Sequence, residues 1–365
     1  MFVDGFMNVK LGEIFEIGSG GTPSKKNPEY YNGNIPWIKT GDLKEKYLYK
    51  SEDYITELGL NNSSAKMCEP DTVLIAMYGA TIGATSILKI PACTNQACAT
   101  FKKSDKITPE FLYYFFRSQK ERFVKDGVGG AQPNISAGYL KKIEIELLPL
   151  KKQNEITNTL DKLQSIITHL RTQLEKLDLL VKARFVELFG DYHTNNKGFE
   201  SHKGKDLFKF SSGRFLSEEK RFEKGIPVYG GNGIAWYTEK PLIDYPTIII
   251  GRVGAWCGNI HTIYEPVWIT DNAIYIKEQK TSKFTLEFLA ELMKIMDFRQ
   301  YADFSGQPKI TQKPLETLEY LTPPINMQNE FTEFCKQIEK SKSILQQELT
   351  QTQTLFDSLM QEYFG

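Results

Sequence analysis

The chain has 365 residues, 45 Lys plus Arg against 45 Asp plus Glu, and 41% apolar residues. The apolar fraction excludes a mostly disordered chain, and the neutral balance excludes a nucleic-acid binder that grips by bulk charge alone. No apolar run reaches the ~20 residues of a membrane span, Met1 to Lys10 lack the apolar core of a signal peptide, and the five cysteines (Cys68, Cys93, Cys98, Cys257, Cys335) are scattered, which predicts a soluble, cytoplasmic protein with reduced thiols.

Residues 1–149 mix short β-rich runs, such as Thr72-Val73-Leu74-Ile75-Ala76, with Gly and Pro punctuation and one helical pattern over 109–125. This predicts an α+β globule. Pro149 then opens a long helix over 150–190. Its apolar residues Ile156, Leu160, Leu163, Ile167, Leu170, Leu174, Leu177 and Val181 alternate spacings of four and three, a heptad seam that calls for a partner helix. Residues 191–206, rich in Asn, Gly, His and Lys, read as a linker. A second α+β globule follows over 207–324, with the run Thr247-Ile248-Ile249-Ile250 and a helical pattern over 286–301. After Pro323-Pro324 a second long helix covers 325–365. Its register runs through Phe331, Cys335, Ile338, Lys342, Leu345, Leu349, Thr352, Phe356, Leu359 and Tyr363, with Lys342 and Thr352 breaking the apolar pattern.

Neither Leu150–Phe189 nor Ile325–Phe364 contains Pro or Gly, so each can run about 60 Å at 1.5 Å per residue. Helices of that length outrun a globule of this size. The expected architecture is α+β, with two similar α/β globules separated by two long helices that pair as an antiparallel coiled coil, with a pseudo-two-fold relation.

The sequence is also written twice. An offset of 175 positions matches Gly79-Ala80 to Gly254-Ala255, Gly83 to Gly258, Gln132-Pro133 to Gln307-Pro308, Pro149 to Pro324, Gln153-Asn154-Glu155 to Gln328-Asn329-Glu330 and Phe189-Gly190 to Phe364-Gly365. Thr108 and Glu110-Phe111-Leu112 match Thr285 and Glu287-Phe288-Leu289 at 177, as does Asn95 with Asn272, and Ile35-Pro36 matches Ile226-Pro227 at 191. The difference between offsets places about 16 extra residues between Pro36 and Gly79.

Catalytic motifs do not emerge. Gly18-Ser19-Gly20-Gly21 lacks the Gly-Lys-Ser/Thr ending of a phosphate loop and runs into Thr22-Pro23-Ser24 rather than a helix. Pro323-Pro324 sits in no Asn/Asp-Pro-Pro-aromatic motif of an adenine methyltransferase. Short Glu-x-Lys patterns with an upstream acid (Asp206 with Glu218-Glu219-Lys220; Asp271 with Glu278-Gln279-Lys280) are too common to mark a nuclease. The four histidines show no metal-ligand spacing. No catalytic residue and no metal ligand is assigned.

What remains is a set of residues suited to DNA. The first globule offers Gly20, Gly21, Thr22, Ser24, Lys25, Lys26, Asn27, Tyr30, Trp37, Lys39, Tyr78, Thr81, Gln132 and Asn134. The second offers Ser212, Arg214, Tyr229, Asn232, Trp236, Arg252, Trp256, Gln307 and Lys309. Glycine lets a backbone approach phosphate, Lys and Arg supply charge, and Asn, Gln and Arg read base edges.

The stretch Gly20-Gly21-Thr22-Pro23-Ser24…Asn27-Pro28-Glu29-Tyr30…Ile35-Pro36-Trp37-Ile38…Gly41-Asp42-Leu43 resembles the target recognition domain of type I restriction-modification specificity (S) subunits. So do Asp71-Thr72-Val73-Leu74-Ile75…Gly79-Ala80-Thr81-Ile82-Gly83, Ile226-Pro227-Val228-Tyr229-Gly230-Gly231-Asn232-Gly233 and Ile249-Ile250-Gly251-Arg252-Val253-Gly254. The two Pro…Gln-Asn-Glu stretches look like the starts of that family's spacer helices. Arg214, standing where the first half has Gly21, marks a difference between the two domains. The resemblance implies a non-catalytic, DNA-binding subunit that reads a bipartite site in double-stranded DNA. It implies as partners two modification (methyltransferase) subunits, which carry S-adenosylmethionine, and restriction (ATP-dependent translocase and nuclease) subunits that can join. No cofactor is expected on this chain. The rival readings are an S-like subunit of a type IIB system with a fused nuclease-methyltransferase partner, a self-sufficient nuclease, and a scaffold without DNA contact.

Overall fold

The computed structural model of the chain describes residues 7–127 and 134–365. They fall into two compact units, Met1–His169 with Glu348–Gly365, and Leu170–Gln347.

In the first unit one sheet has the order Ile17–Ser19, Cys98–Phe101, Val73–Ala76, Thr85–Leu88, Tyr47–Leu48, antiparallel except for the last pair. A second sheet holds Tyr54–Ile55, Tyr31–Ile38 and Cys93–Thr94. Val73-Leu74-Ile75-Ala76 is apolar throughout because both of its faces are covered. Val73 and Ile75 join one core with Phe101, Phe111 and Phe116, while Leu74 and Ala76 join another with Ile38, Leu48 and Cys98.

The second unit is built on the same plan. Its four antiparallel strands are Phe208–Ser212, Ala273–Gln279, Thr247–Gly251 and Ile260–Ile263, beside a sheet of Gly233–Thr238, Ile226–Gly230 and Trp268–Ile269. Ile248 and Ile250 pack with Phe288 and Leu292, and Ile249 with Ile269 and Tyr275. The insertion in the first half is structured: it adds the Tyr47–Leu48 edge strand and the Glu57–Asn61 helix.

Sheet register corrects one repeat match. The Asn95 N–H bonds the Ile38 carbonyl, and the Thr270 N–H bonds that of Tyr229. The structural counterpart of Asn95 is therefore Thr270, at the common offset, rather than Asn272. The helical patterns over 109–125 and 286–301 are each split. Pro109–Ser118 stops at Gln119 before Lys120–Asp126, and Leu286–Ile295 stops before Asp297, which turns left-handed at φ +44° and leads into Phe298–Tyr301. Thr108 and Thr285 cap the longer pieces, each accepting the N–H three residues on at 3.3 Å.

Both long helices form, Leu150–Phe189 and Ile325–Phe364. In the first unit Ile156, Leu160 and Ile167 share a core with Phe356 and Phe364, and Leu163, Leu349 and Leu359 pack against it. In the second unit Phe185 and Phe189 pack edge-on against Phe331. Asp178 pairs with Lys342 at 2.9 Å and Arg184 pairs with Glu330, so position rises along one helix as it falls along the other, an antiparallel pairing. The seam runs beyond Val181 through Phe185 and Phe189. Leu170 and Ile338 are buried, Leu174, Leu177, Val181 and Leu345 half-buried. Lys342 keeps its seam position: its stem is half-buried while its ammonium reaches Asp178 and Glu339.

Each globule is tied to the start of its own helix by one buried amide. Gln153 and Gln328 are both 0% exposed. The Gln328 side-chain oxygen accepts the Thr285 N–H at 3.0 Å, and its nitrogen donates to the Lys283 and Pro323 carbonyls at 2.7 and 2.8 Å. Gln153 does the same with Thr108, Lys106 and Leu148. A second tie exists in the first unit, where Lys46 pairs with Asp161 and lies over Tyr47, Tyr113 and Tyr114 at 5.1, 5.5 and 4.7 Å. Burial pushes the Lys46 ammonium below its usual range, opposed by the bond to Asp161.

Residues 191–206, read as a linker, are ordered chain. Ser201–Lys203 pairs antiparallel with Glu319–Leu321, Gly204–Leu207 forms a short helix, and the Tyr192 and Tyr301 hydroxyls are 2.9 Å apart. Backbone pairing, which does not depend on apolar side chains, explains why composition missed it. Among the described residues no helix is long and apolar enough to cross a membrane.

Candidate nucleic-acid interface

The glycine-rich loop of the first globule is built around a buried indole. The Gly21 N–H bonds the Thr94 carbonyl at 2.8 Å, and the Gly21 carbonyl accepts the Trp37 indole N–H at 3.0 Å. Trp37 is 5% exposed, and Gly20 and Gly21 are buried, so these three candidates support the loop rather than present a surface. A Cβ on Gly21 would lie 2.3 Å from the Ala65 nitrogen. In the second globule Arg214 takes the same place: its N–H bonds the Ile269 carbonyl at 2.8 Å and its carbonyl accepts the Trp268 indole at 2.9 Å. Ala65 belongs to the insertion, which the second half lacks, and this frees the position for arginine. The tryptophan has also changed strands. Trp37 pairs with Cys93, whereas Val228 pairs with Trp268, yet the indole bonds the same carbonyl.

Around this frame the first globule exposes Ser24, Lys25, Lys26 and Asn134, with Thr22, Asn27, Tyr30, Tyr78 and Thr81 half-buried. The Thr22 hydroxyl bonds Gln96, and the Tyr31 hydroxyl bonds the Pro23 carbonyl, which pins the loop that carries the two lysines. Lys25 and Lys26 have no ion-pair partner among the described residues. Lys39 is committed elsewhere, to Asp53 at 2.5 Å and over the Trp37 ring at 5.5 Å. Tyr78 bridges Asn134, and burial pushes its phenol up. Gln132 lies outside the described residues.

In the second globule the candidates converge. Asn232, Trp236, Trp256 and Gln307 line a recess of about 320 Å³, joined by Thr270 and Asn272. Trp256 is 52% and Trp236 39% exposed, and the Arg221 guanidinium stacks over Trp236 at 4.1 Å. The loop that forms one wall is fixed from beneath: Asn259 donates to the Gly231 carbonyl at 3.3 Å, and Tyr229 packs against His261. Gly251 is required here, because a Cβ on it would lie 2.1 Å from the Trp256 carbonyl. Arg214 and Lys309 are exposed at other points, the Arg252 guanidinium donates to the Asp271 carbonyl at 3.3 Å, and Ser212 accepts from Gln312 at 3.3 Å. Thr270 and Arg221 were missed in the sequence, because neither lies in a repeated motif, and Asn272 entered there only as a repeat match and not as a site residue.

The acidic patterns fall apart in space. Among the described residues no three His, Cys, Asp or Glu side chains are grouped to hold a metal, and the Lys280 ammonium donates to the Lys205 carbonyl.

Comparison with known proteins places this arrangement. The family model of the type I restriction modification DNA specificity domain matches residues 3–178 and again 196–353. The chain is 27% identical over 344 residues to the specificity subunit of the EcoprrI type I restriction enzyme of Escherichia coli, covering 87% of this chain and 84% of that one. It is 30% identical over 224 residues to the MjaIX specificity subunit of Methanocaldococcus jannaschii, covering 56% and 52%. In fold it is similar to the S subunit of a type I restriction-modification system from M. genitalium, at TM-score 0.64, 18% identity and coverage of 100% and 98%. A chain solved in work on assembly and conformational transition of the type I R-M system gives TM-score 0.60 at 15% identity, with coverage of 100% and 98%. Matched twice along its length, this chain belongs to the type I restriction modification DNA specificity family.

Proposed function

We propose that the chain is the DNA-reading subunit of a restriction-modification complex, in which each globule reads one half of a bipartite site and the paired helices set the unread gap. The observation that carries this reading is the duplication. Two units share one plan, each combining an α+β globule with segments of both long helices. A reader of one continuous site needs a single globule. Helices of 40 residues span about 60 Å, ample for two major-groove contacts one turn of DNA apart, roughly 34 Å.

Chemistry then falls to partners. Two modification subunits would carry S-adenosylmethionine and flip the target adenine, and restriction subunits would add cleavage. This chain holds the duplex in register for them. The exposed lysines of the first globule serve phosphate, and the amides and arginine of the second serve base edges.

The test is to replace residues 1–149 with those of the EcoprrI subunit and map methylated adenines in cells carrying the modification genes. One half of the site should change while the other half and the gap persist. Seven residues added to both helices should lengthen the gap alone. Both halves changing together after the swap would overturn the reading.

A further inference from the structure

The recess of the second globule carries more chemical information than a surface that only grips backbone. Its lining contains no Lys, Arg, Asp or Glu, so a phosphate finds no charged partner inside it. Trp236 and Trp256 supply aromatic faces, while Asn232, Asn272 and Gln307 bring side-chain amides that bond nothing among the described residues. Thr270 is 6% exposed, and its hydroxyl is buried without a hydrogen-bond partner. Native proteins rarely leave such a group unmet, so it marks a place where a ligand completes the bonding.

Flat apolar walls with converging donors and acceptors suit a heteroaromatic ring. Its π faces lie on indole, while each carboxamide offers both a donor and an acceptor to its edge. The walls are also held in advance of any ligand, by Arg221 over Trp236 and by Asn259 under Gly231. We propose that this recess takes one nucleobase of the DNA and thereby sets the sequence preference of the second globule. The proposal rests on the DNA-reading function above and assigns one of its two readers a specific site.

The test uses the full chain and a library of duplexes randomised across the site. Sequences selected by the wild type are compared with those selected by Trp256→Ala, Asn272→Ala and Thr270→Val. Trp256→Ala should weaken binding to the preferred duplex roughly 10-fold, the loss of stacking on one base. Asn272→Ala and Thr270→Val should flatten the preference at one or two adjacent positions of one half-site and leave the other half-site sharp. Thr270→Val is nearly isosteric, so its result stands even where Trp256→Ala weakens the fold. Wild-type preference in all three variants, or a uniform loss of affinity with no change in preference, overturns the base site while leaving the DNA-reading function intact. A wild-type chain that selects no sequence at all overturns both.

Discussion

The side-chain oxygen of Gln153 accepts the backbone N–H of Thr108 at 2.9 Å, beneath the helix that Thr108 itself caps. The same amide donates to Lys106 and Leu148, both at 2.8 Å, so one residue satisfies three backbone groups at the junction of globule and long helix. Gln153→Leu leaves these groups buried and unpaired, which should cost about 3 kcal/mol. The expected reading is a fall of roughly 6–12 °C in the melting transition of the first unit. Gln328→Leu should do the same to the second unit. A pair of melting curves with unchanged midpoints would show that water replaces the amide without cost.

Lys342 interrupts the seam of the second long helix, yet its side chain is only 26% exposed. Its partners Asp178 and Glu339 are 61% and 59% exposed, so losing the ion pairs costs little. Lys342→Leu should therefore raise the stability of the second unit by about 1 kcal/mol through buried apolar area. Thermal melting checks it, and a lowered midpoint would mean that the lysine does more than fill a gap.

Acid should weaken the first unit through Asp71. Hydrogen bonds from Lys89 at 2.7 Å and Lys103 at 3.1 Å hold its carboxyl below the usual value of 3.8. Because the folded-state pKa lies below the unfolded one, the contribution is fully present above pH 3.8 and disappears as pH falls through the depressed value. Asp71→Asn removes the titration while tolerating the left-handed backbone at φ +67°. Below about pH 4 the wild-type melting temperature should drop more steeply than that of the variant. Parallel acid limbs would remove Asp71 from the account.

All five cysteines are buried as free thiols. Burial pushes Cys93, Cys98 and Cys335 up to about 12, and raises Cys68 and Cys257 as well. Alkylation at pH 8 should label none of them in the native chain and all five in denaturant, as read by mass. Rapid labelling of one cysteine in native buffer would locate a region that opens.

Much of this fold was legible in residue order. The heptad seam from Ile156 to Val181 and the absence of Pro or Gly announce long paired helices, since supercoiling needs only periodicity. The Gln-Asn-Glu repeat pointed to the helix starts, although nothing in it disclosed that the glutamine bonds three backbone groups. The site was less legible. Trp37 looked like a surface aromatic because sequence cannot distinguish an indole bonded to a buried carbonyl from one facing solvent. Trp268 escaped notice because its equivalence to Trp37 crosses from one strand to its neighbour, where no offset aligns them. The recess likewise unites residues from 230 to 307 that come together only in the folded chain.

The composition of the first unit has a consequence for how the protein is made. Phe356 and Phe364 belong to a core otherwise built from residues 11–167. A ribosome that has passed residue 167 must translate about 190–200 further codons before these two rings emerge. At the usual 5–20 residues per second, the nascent domain waits about 10–40 seconds with part of its interior uncovered. A premature stop near codon 348 would thus injure the first unit, whose other residues are encoded far upstream.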